Sequence, residues 1–385
     1  CGGCSINFVN YDYQLKLKET VFRTAFRQNA KLFDLPLSSI ITSQEIKHYR
    51  NKVIMPFYKN KDNKIDIGFY AKNSHRVVTA DGCIIQARCF ERILKQIKFW
   101  ANANKISVYN ELKHSGLLRN LMLRANKTET EILVCLIING ELNQLPPQIQ
   151  KKLIESLQKD ERFKTLAVCI NKEKTNVLLN NKIKYIFGTE YIVTDFLDKK
   201  YALSVNTFFQ VNYAIAELLY ATIKNKIEQI NIENRKIIFD VYAGAATIGI
   251  FVNNLAQYIY AIEENPAAQD LAKINFKLNN ISNINFICEK AINGLRKLIN
   301  EENIIPNIII LDPPRSGCLK EELLLFSNAN IQYIFYVSCN PATLARDTKI
   351  LIENDYKLID LICFDMFPFT AHLEVLAIFE KKSKT

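Results

Sequence analysis

Two hydrophobic patterns divide the chain. Between residues 49 and 203, short segments of alternating apolar and polar residues, such as 65–70 and 132–138, are separated by polar turns, which predicts strands. Residues 11–33 and 90–103 instead carry apolar side chains at helical spacing, which predicts an amphipathic helix in each stretch. The first half of the chain is therefore expected to be a strand-rich α+β region with a few helices.

After residue 206 the pattern changes to strand, loop and helix, repeated several times. Four continuous apolar runs are typical of strands buried on both faces of a parallel sheet, namely 237–241, 258–263, 308–312 and 334–337. This alternation predicts the α/β class with a Rossmann-like sheet. We predict two domains, 1–205 and 206–385, and expect the helix at 11–33 to pack on the second.

Positive charge is concentrated in the first domain. Residues 1–205 contain 33 Lys and Arg against 19 Asp and Glu, whereas residues 206–385 contain 17 against 20. A basic half joined to a near-neutral half indicates a surface that follows phosphates, attached to a catalytic unit. The alternative is that these lysines are ordinary solvated surface residues.

The composition excludes several classes of protein. Hydrophobic residues make up 49% and charged residues 23% of the 385 positions, which excludes a disordered or low-complexity chain. No apolar run approaches the roughly 18 residues of a membrane span, and no secretory signal is visible. We therefore expect a cytoplasmic protein without a membrane partner. Disulfides are not expected there, and Cys135, Cys169, Cys288 and Cys363, in apolar surroundings, are predicted core residues.

A turn rich in small residues follows the first buried strand of the second domain. It runs from Asp240 to Gly249, and the next strand ends at Glu263. Ligands of open parallel sheets bind beyond the carboxyl ends of the strands, where a carboxylate can accept ribose hydroxyls. The turn lacks the G-x-G-x-x-G pattern of a pyrophosphate site, so S-adenosylmethionine suits it better than NAD. Alternatively, the small residues serve only helix–strand packing.

The third buried strand ends in Asp312-Pro313-Pro314-Arg315. Two prolines stiffen the loop and fix the direction of the carboxylate, although a merely rigid turn would look the same. Methyltransferases that act on exocyclic amines of bases often carry an aromatic residue after Asp-Pro-Pro. Arg315 occupies that position here, which argues against amine methylation.

A cysteine and a glutamate supply candidate chemistry at the ends of the last strands. Cys339 ends the fourth strand, followed by Asn340 as a helix cap and Pro341 at the first helical position. A free thiol is a strong nucleophile, and a helix N-terminus is expected to favour its thiolate. Glu374 lies in an apolar neighbourhood, where a raised pKa would suit a proton acceptor; a salt-bridge role is the alternative. We interpret His372 as structural.

Together, several motifs resemble the RNA uracil-C5 methyltransferase family over essentially the whole chain. They are Cys1-Gly-Gly-Cys4, a loose Tyr-x-x-Gln-Leu-x-x-Lys from residue 11 or 13, Tyr49-Arg50-Asn51-Lys52, Asp81-Gly82-Cys83, Phe208-Phe209-Gln210-Val211-Asn212, Asp312-Pro-Pro-Arg315, Ser338 to Leu344, and His372-Leu373-Glu374. The 23S rRNA members of the family, which carry an iron–sulfur cluster, are the most similar. No single short match is specific, but the combination is.

The resemblance implies a covalent mechanism. Cys339 would add to carbon 6 of uracil, carbon 5 would attack the methyl group of S-adenosylmethionine, and Glu374 would remove the carbon-5 proton. Such a reaction requires a base pulled out of the RNA stack. The resemblance also places four cofactor contacts at Gln210, Tyr242, Glu263 and Asp312, with a weaker fifth at Thr247, where some members have Asn.

The resemblance further implies a [4Fe–4S] cluster. Its ligands would be Cys1, Cys4 and Cys83, with a fourth expected upstream because the chain starts without an initiator Met. Four thiolates are the usual requirement, and Cys89 departs from the family spacing. By itself the C-x-x-C pair is equally compatible with zinc or redox chemistry.

The cysteine motif decides the expected substrate. It is typical of the rRNA members of the family and lacking in the tRNA enzyme, so we predict methylation of a uridine in 23S rRNA. A tRNA T-loop uridine is the second candidate. A catalytically silent RNA-binding iron–sulfur protein is the third, and no protein partner is predicted.

Overall fold

The computed structural model describes residues 1–230, 232 and 236–382. The chain separates into two compact units. The first unit comprises Cys1–Cys4, Glu45–Phe196 and Lys200–Tyr213, and the second comprises Ser5–Gln44, Leu197–Lys199 and Ala214–Thr385. The first helix, α1 (Tyr11–Asn29), belongs to the second unit and ends four residues before the predicted limit of 33. None of the described helices is long and apolar enough to cross a membrane.

The first unit is built on a seven-stranded mixed sheet. Its strands are β1 (Lys52–Lys59), β2 (Ile65–Tyr70), β3 (Val77–Thr79), β4 (Leu118–Ala125), β5 (Ile132–Ile138), β6 (Phe163–Ile170) and β7 (Ile183–Phe187). Their order is β3-β2-β1-β4-β5-β6-β7, with β5 and β6 parallel and the other neighbours antiparallel. The unit also holds α2 (Phe90–Ala103), a 3₁₀ turn (Leu142–Gln144) and α3 (Pro147–Leu157), while β8 (Ile192–Phe196) pairs with β9 (Lys199–Leu203).

The second unit contains the α/β sheet that the sequence predicts. Its strands are β10 (Ile237–Val241), β11 (Tyr258–Ile262), β12 (Ile284–Ile287), β13 (Ile308–Leu311), β14 (Tyr333–Ser338), β15 (Tyr356–Phe364) and β16 (Glu374–Lys381). Its helices after α1 are α4 (Tyr213–Gln229), α5 (Thr247–Val252), α6 (Pro266–Leu278), α7 (Ala291–Arg296), α8 (Lys320–Asn328) and α9 (Pro341–Glu353), with a 3₁₀ turn (Asn253–Leu255) and a π turn (Lys297–Glu301).

The strand order of this second sheet is β12-β11-β10-β13-β14-β16-β15. The first five strands are parallel, whereas β16 runs antiparallel to both of its neighbours. The order reverses between β10 and β13, and such a switch point is where open α/β sheets bind ligands at their carboxyl edge.

Burial explains why these segments form strands and helices. Every side chain of β13 is buried, as a strand covered on both faces requires. Phe22 and Phe26 of α1 are fully buried in the core of the second unit. Each buried aromatic side chain of this kind stabilises a fold by about 1.5–3 kcal/mol.

The cysteine predictions are mostly confirmed. Cys135, Cys169 and Cys363 are buried, as expected of small core residues. The prediction for Cys288 is wrong, because its side chain, directly after the edge strand β12 of the sheet, is only half-buried.

Candidate active site

Strand pairing brings Cys339 and Glu374 together. The antiparallel ladder between β14 and β16 ends at the pair Ser338 and Val375, so Cys339 and Glu374 each adjoin a residue of that last pair. The negative charge of Glu374 reaches the Cys339 thiol and raises its pKa. Cys339 is half-buried, and Glu374 is 3% exposed. A thiol and a carboxylate that lie 35 positions apart in the chain are thus neighbours.

Burial dominates the electrostatics of Glu374. Desolvation raises its pKa well above the usual value, the negative charge of Asp312 raises it further, and the Arg315 guanidinium opposes both effects. The prediction of a raised pKa is therefore confirmed. A carboxylate in this position is a stronger base than an exposed glutamate.

The pKa of the Cys339 thiol is raised as well. Burial is the largest cause and the charge of Glu374 is the second, whereas Arg315 lowers the pKa by its charge and by a hydrogen bond to the thiol. Arg315 is therefore the side chain that favours ionisation of the thiol, and the expected effect of the helix N-terminus stays a prediction.

Asn340 ties two loops of the site together. Its Oδ1 accepts a hydrogen bond from the Ala342 N–H at 3.1 Å, which confirms the predicted cap of α9. Its Nδ2 donates to the Arg315 carbonyl at 2.9 Å, and the Thr343 hydroxyl donates to the same oxygen at 3.3 Å. Pro341 begins the helix, as predicted. The loop that carries Arg315 is therefore held against the segment that carries Cys339.

The loop that carries Arg315 is fixed at a second point, around Gly317. This residue has φ +76°, and a Cβ atom here would lie 2.5 Å from the Asp347 Oδ2. The Arg346 guanidinium donates to the carbonyls of Ser316 at 3.0 Å and Cys318 at 3.1 Å. Glycine is required both for the left-handed backbone and for this close approach.

Glu263 organises the edge where a nucleoside would bind. Its Oε2 accepts from the Gly244 N–H at 3.1 Å, and its Oε1 accepts from the Asn265 N–H at 3.0 Å. The turn after β10 has positive φ at Tyr242 (62°), Gly244 (53°) and Ala246 (58°). A Cβ at Gly244 would meet nothing within 4 Å, so space for a ligand exists beside this turn.

Two further carboxylates lie at the same edge. Burial raises the pKa of Asp240 and the pKa of Asp312 to about 7 each. The negative charge of Asp312 also raises the pKa values of Asp240 and Glu374. The Asp240 Oδ2 accepts from the Gly249 N–H at 2.9 Å, which fixes the start of α5. Asp312 follows β13 directly and is also close enough to Glu374 to raise that pKa.

Each of the remaining predicted cofactor residues has its own hydrogen-bond partner in the structure. The Tyr242 hydroxyl donates to the Glu322 Oε2 at 2.6 Å, and the Thr247 hydroxyl is 2.8 Å from that of Tyr220. Gln210 belongs to the first unit, where its carbonyl accepts from the Asn51 Nδ2 at 3.0 Å. Its contact with a cofactor stays a prediction. Acceptors for ribose hydroxyls and an open turn at the strand edge nevertheless fit S-adenosylmethionine.

The structure brings together only part of the predicted cysteine motif of the first unit. Cys1 is exposed, and Cys4 and Cys83 are half-buried. Burial raises the pKa of Cys4, and so does the charge of Cys83, which shows that these two thiols are close. Among the described residues, however, no group of three or more His, Cys, Asp or Glu side chains could hold a metal ion. Cys89 is buried, with its N–H bonded to Glu129 at 2.8 Å.

Sequence reasoning missed the support that α1 gives to the segment before Glu374. Lys18 forms a buried ion pair with Asp365, whose Oδ2 accepts from the Tyr11 hydroxyl at 2.6 Å. The Gln14 Oε1 accepts from the Phe369 N–H at 3.0 Å. The signal was present, because the Tyr-x-x-Gln-Leu-x-x-Lys motif counted from residue 11 puts these three polar residues on one helix face.

His372 also lies near the site. Its pKa is lowered, first by burial and then by the positive charges of Arg315 and Lys18. Its N–H donates to the Thr370 hydroxyl at 3.2 Å, and its ring meets that of Phe367 edge to face. A structural role for this histidine stays a prediction.

The sheet and the groups at its carboxyl edge indicate the class of protein. A mostly parallel sheet with an open turn and carboxylates at its carboxyl edge is typical of α/β folds that bind a nucleoside, among them methyltransferases that use S-adenosylmethionine. A family model described as tRNA (uracil-5-)-methyltransferase matches residues 10–382, and the chain belongs to this family. The predicted resemblance to RNA uracil-C5 methyltransferases is thereby confirmed.

Individual relatives agree with this assignment. An RNA methyltransferase of Fusobacterium nucleatum is 36% identical over 380 residues, covering 99% of this chain and 80% of the relative. One of Halalkalibacterium halodurans is 34% identical, covering 100% and 82%. The crystal structure of Pyrococcus abyssi tRNA (uracil-54, C5)-methyltransferase in complex with S-adenosyl-L-homocysteine aligns with a TM-score of 0.77 and 26% identity, covering 98% of this chain and 85% of that one.

Proposed function

We propose that the protein methylates carbon 5 of a uridine in 23S rRNA, with Cys339 as the nucleophile and Glu374 as the base. One observation carries the assignment of the two roles: Cys339 and Glu374 adjoin the last pair of the ladder between β14 and β16, and both interact with the charges of Asp312 and Arg315. A thiol and a carboxylate of raised pKa at one edge suit covalent addition followed by proton removal.

Each step assigns one task to one side chain. The Cys339 thiol first loses its proton to water, an ionisation that Arg315 favours. The thiolate then forms a bond to carbon 6 of uracil, and the electron pair of the 5,6 double bond moves toward the carbonyl at carbon 4. Bound S-adenosylmethionine would supply the methyl group that becomes bonded to carbon 5, and would leave as S-adenosylhomocysteine. Glu374 then takes the carbon-5 proton, the double bond re-forms, and the bond between carbon 6 and sulfur breaks to release the thiolate.

Lysines in a cleft of the first unit support RNA as the partner. Lys172, Lys182 and Lys184 line this cleft, together with two glutamates, Glu141 and Glu173. Lys182 and Lys184 are exposed, while Lys172 pairs with Glu141. Lysines spaced two apart along an extended segment project to the same side, as a row of phosphates requires. This placement agrees with the net positive charge of residues 1–205.

The cysteine motif and the comparisons with known proteins favour different RNA substrates. The Cys1-x-x-Cys4 and Cys83 motif supports rRNA through the family resemblance, and the proximity of Cys4 and Cys83 is compatible with it. The second candidate is a tRNA T-loop uridine, favoured by the name of the matching family model and by the tRNA (uracil-54, C5)-methyltransferase of similar structure. Both candidates use the same catalytic residues.

The decisive experiment compares the two RNAs directly. Anaerobically purified protein is incubated with S-adenosylmethionine and with separate pools of unmodified 23S rRNA and tRNA, and 5-methyluridine is quantified by nucleoside mass spectrometry. We expect product in 23S rRNA and none in tRNA. Product in tRNA alone would transfer the assignment to the second candidate, and absence of product from both, with S-adenosylmethionine bound, would favour a silent RNA-binding protein.

The iron–sulfur cluster is a separate part of the proposal. It needs a fourth thiolate besides Cys1, Cys4 and Cys83, and the described residues do not complete a metal site, so no catalytic step depends on it. We expect anaerobically purified protein to contain about four iron and four sulfide per chain, and Cys83→Ser to lose most of them. Cys288→Ser, in the other unit, is the control. An iron-free protein of full activity would contradict this part alone.

A further inference from the structure

A buried carboxylate lies behind the cofactor turn. Glu322, the third residue of α8, is 2% exposed. Its Oε2 accepts two hydrogen bonds, from the Tyr242 hydroxyl at 2.6 Å and from the Leu319 N–H at 2.8 Å. The second bond closes the first turn of α8, but a helix start needs no buried carboxylate for this purpose. The bond to Tyr242 connects α8 with the turn after β10.

The neighbouring glutamate shows what an ordinary position at this helix start looks like. Glu321 is exposed and forms a 2.8 Å ion pair with Arg296 at the surface. Removing a carboxylate from water is costly unless strong hydrogen bonds compensate. The two adjacent glutamates therefore differ in burial and in partner, and only Glu322 contacts the turn.

The contact is made to a residue with an unfavourable backbone conformation. Tyr242 has φ +62°, a left-handed conformation that a bulky side chain rarely adopts and that must be maintained by its surroundings. Its N-terminal neighbour Val241 is the last residue of β10, and Gly244, which contacts Glu263, follows two positions later. A short hydrogen bond from the tyrosine hydroxyl to an acceptor in the core stabilises this conformation.

We propose that Glu322 is a positioning residue that holds Tyr242, and through it the turn from Tyr242 to Ala246, in the shape that receives S-adenosylmethionine. The inference rests on the proposed contact of this turn with the cofactor and does not depend on which RNA is methylated. Glu322 touches neither the nucleophile nor the base. Its loss should therefore weaken cofactor binding and leave the chemistry of the bound complex largely intact.

The test measures S-adenosylmethionine binding by calorimetry, followed by methylation kinetics with the RNA that the protein modifies. We expect Glu322→Ala to weaken cofactor affinity by roughly ten- to a hundredfold, the scale of a lost charge-assisted hydrogen bond, and to raise KM for S-adenosylmethionine to match. At saturating cofactor, kcat should stay within about twofold. Glu322→Gln, which retains an acceptor oxygen, should recover part of the affinity.

Two further variants separate positioning from general stability. Tyr242→Phe removes the same hydrogen bond without disturbing the start of α8, so it should weaken binding in the same way even if Glu322→Ala does not fold. The double variant should bind no more weakly than the weaker single variant, because both remove one interaction. Glu321→Ala is the matched control, with unchanged affinity.

Unchanged cofactor affinity in Tyr242→Phe, or losses that add in the double variant, would overturn the inference. So would a fall in kcat at saturating S-adenosylmethionine without a change in KM. These readouts are distinct from the choice of RNA, because cofactor binding is measured without RNA. A wild-type protein that binds S-adenosylmethionine but methylates neither RNA would contradict the proposed function and leave the role of Glu322 testable by calorimetry.

Discussion

Glu374→Gln is expected to lower turnover by about 10²–10⁴-fold and to accumulate RNA bound covalently to Cys339, because addition and methyl transfer can proceed while the carbon-5 proton cannot leave. The measurement is denaturing gel electrophoresis of the variant after incubation with RNA and S-adenosylmethionine, with single-turnover kinetics. The trapped species should be absent from the double variant that also carries Cys339→Ala. Normal turnover by Glu374→Gln would exclude this residue as the base.

Stability provides a check on this result. The pKa of Glu374 is raised in the folded state, so its contribution to stability is full below the unfolded pKa and is lost as pH rises through the folded pKa. Glutamine removes this ionisation, and the variant should therefore be at least as stable as the wild type at neutral pH. Glu380→Gln, on the same strand and bonded to the Tyr333 hydroxyl, is the matched control with normal turnover.

Asp365→Ala is expected to lower the free energy of unfolding by about 3–5 kcal/mol, because it leaves the fully buried ammonium of Lys18 without its partner. Urea denaturation followed by circular dichroism measures the change. The double variant Lys18→Met and Asp365→Val should recover most of the loss, since an apolar pair of similar volume is often neutral in such a position.

A surface ion pair on the same helix is the control for Asp365→Ala. Glu19 pairs with Arg23 one turn apart, and both side chains are exposed, so Glu19→Ala should cost no more than about 0.5 kcal/mol. If Asp365→Ala lowered the free energy of unfolding as little as Glu19→Ala, the buried pair would not hold the segment that leads to Glu374. Methylation activity should fall together with stability, because Asp365 and Phe369 anchor that segment on α1.

Local sequence patterns predicted the elements of the site well. The apolar run before Cys339 is a strand, Asn340 caps the next helix and Pro341 begins it. Glu374 begins the last strand. Such features depend on neighbours in the chain: apolar runs form buried strands, and side-chain oxygens satisfy the free N–H groups of a helix start. Family motifs identified the same residues as candidates without placing them in space.

The ionisation of the site was harder to predict. The raised pKa of Glu374 could be anticipated from its apolar neighbours in the sequence. The raised pKa of Cys339 could not, because its neighbours in the sequence indicate a helix start and do not include the Glu374 carboxylate. Glu322 is an equally clear example. Beside Glu321 at a helix start it looks like a solvated residue, and only the packing of α8 behind the cofactor turn buries it.

The sequence by itself determined the α/β class, the alternation of strands and helices after residue 206, the small-residue turn and the identity of the candidate catalytic pair. Only the tertiary structure decided that β16 lies between β14 and β15, which sets Glu374 against Cys339, and that Lys18 of α1 reaches Asp365 from 347 positions away. The physical reason is that secondary structure follows from nearby residues, whereas strand register, desolvation and charge pairing arise between segments distant in the chain.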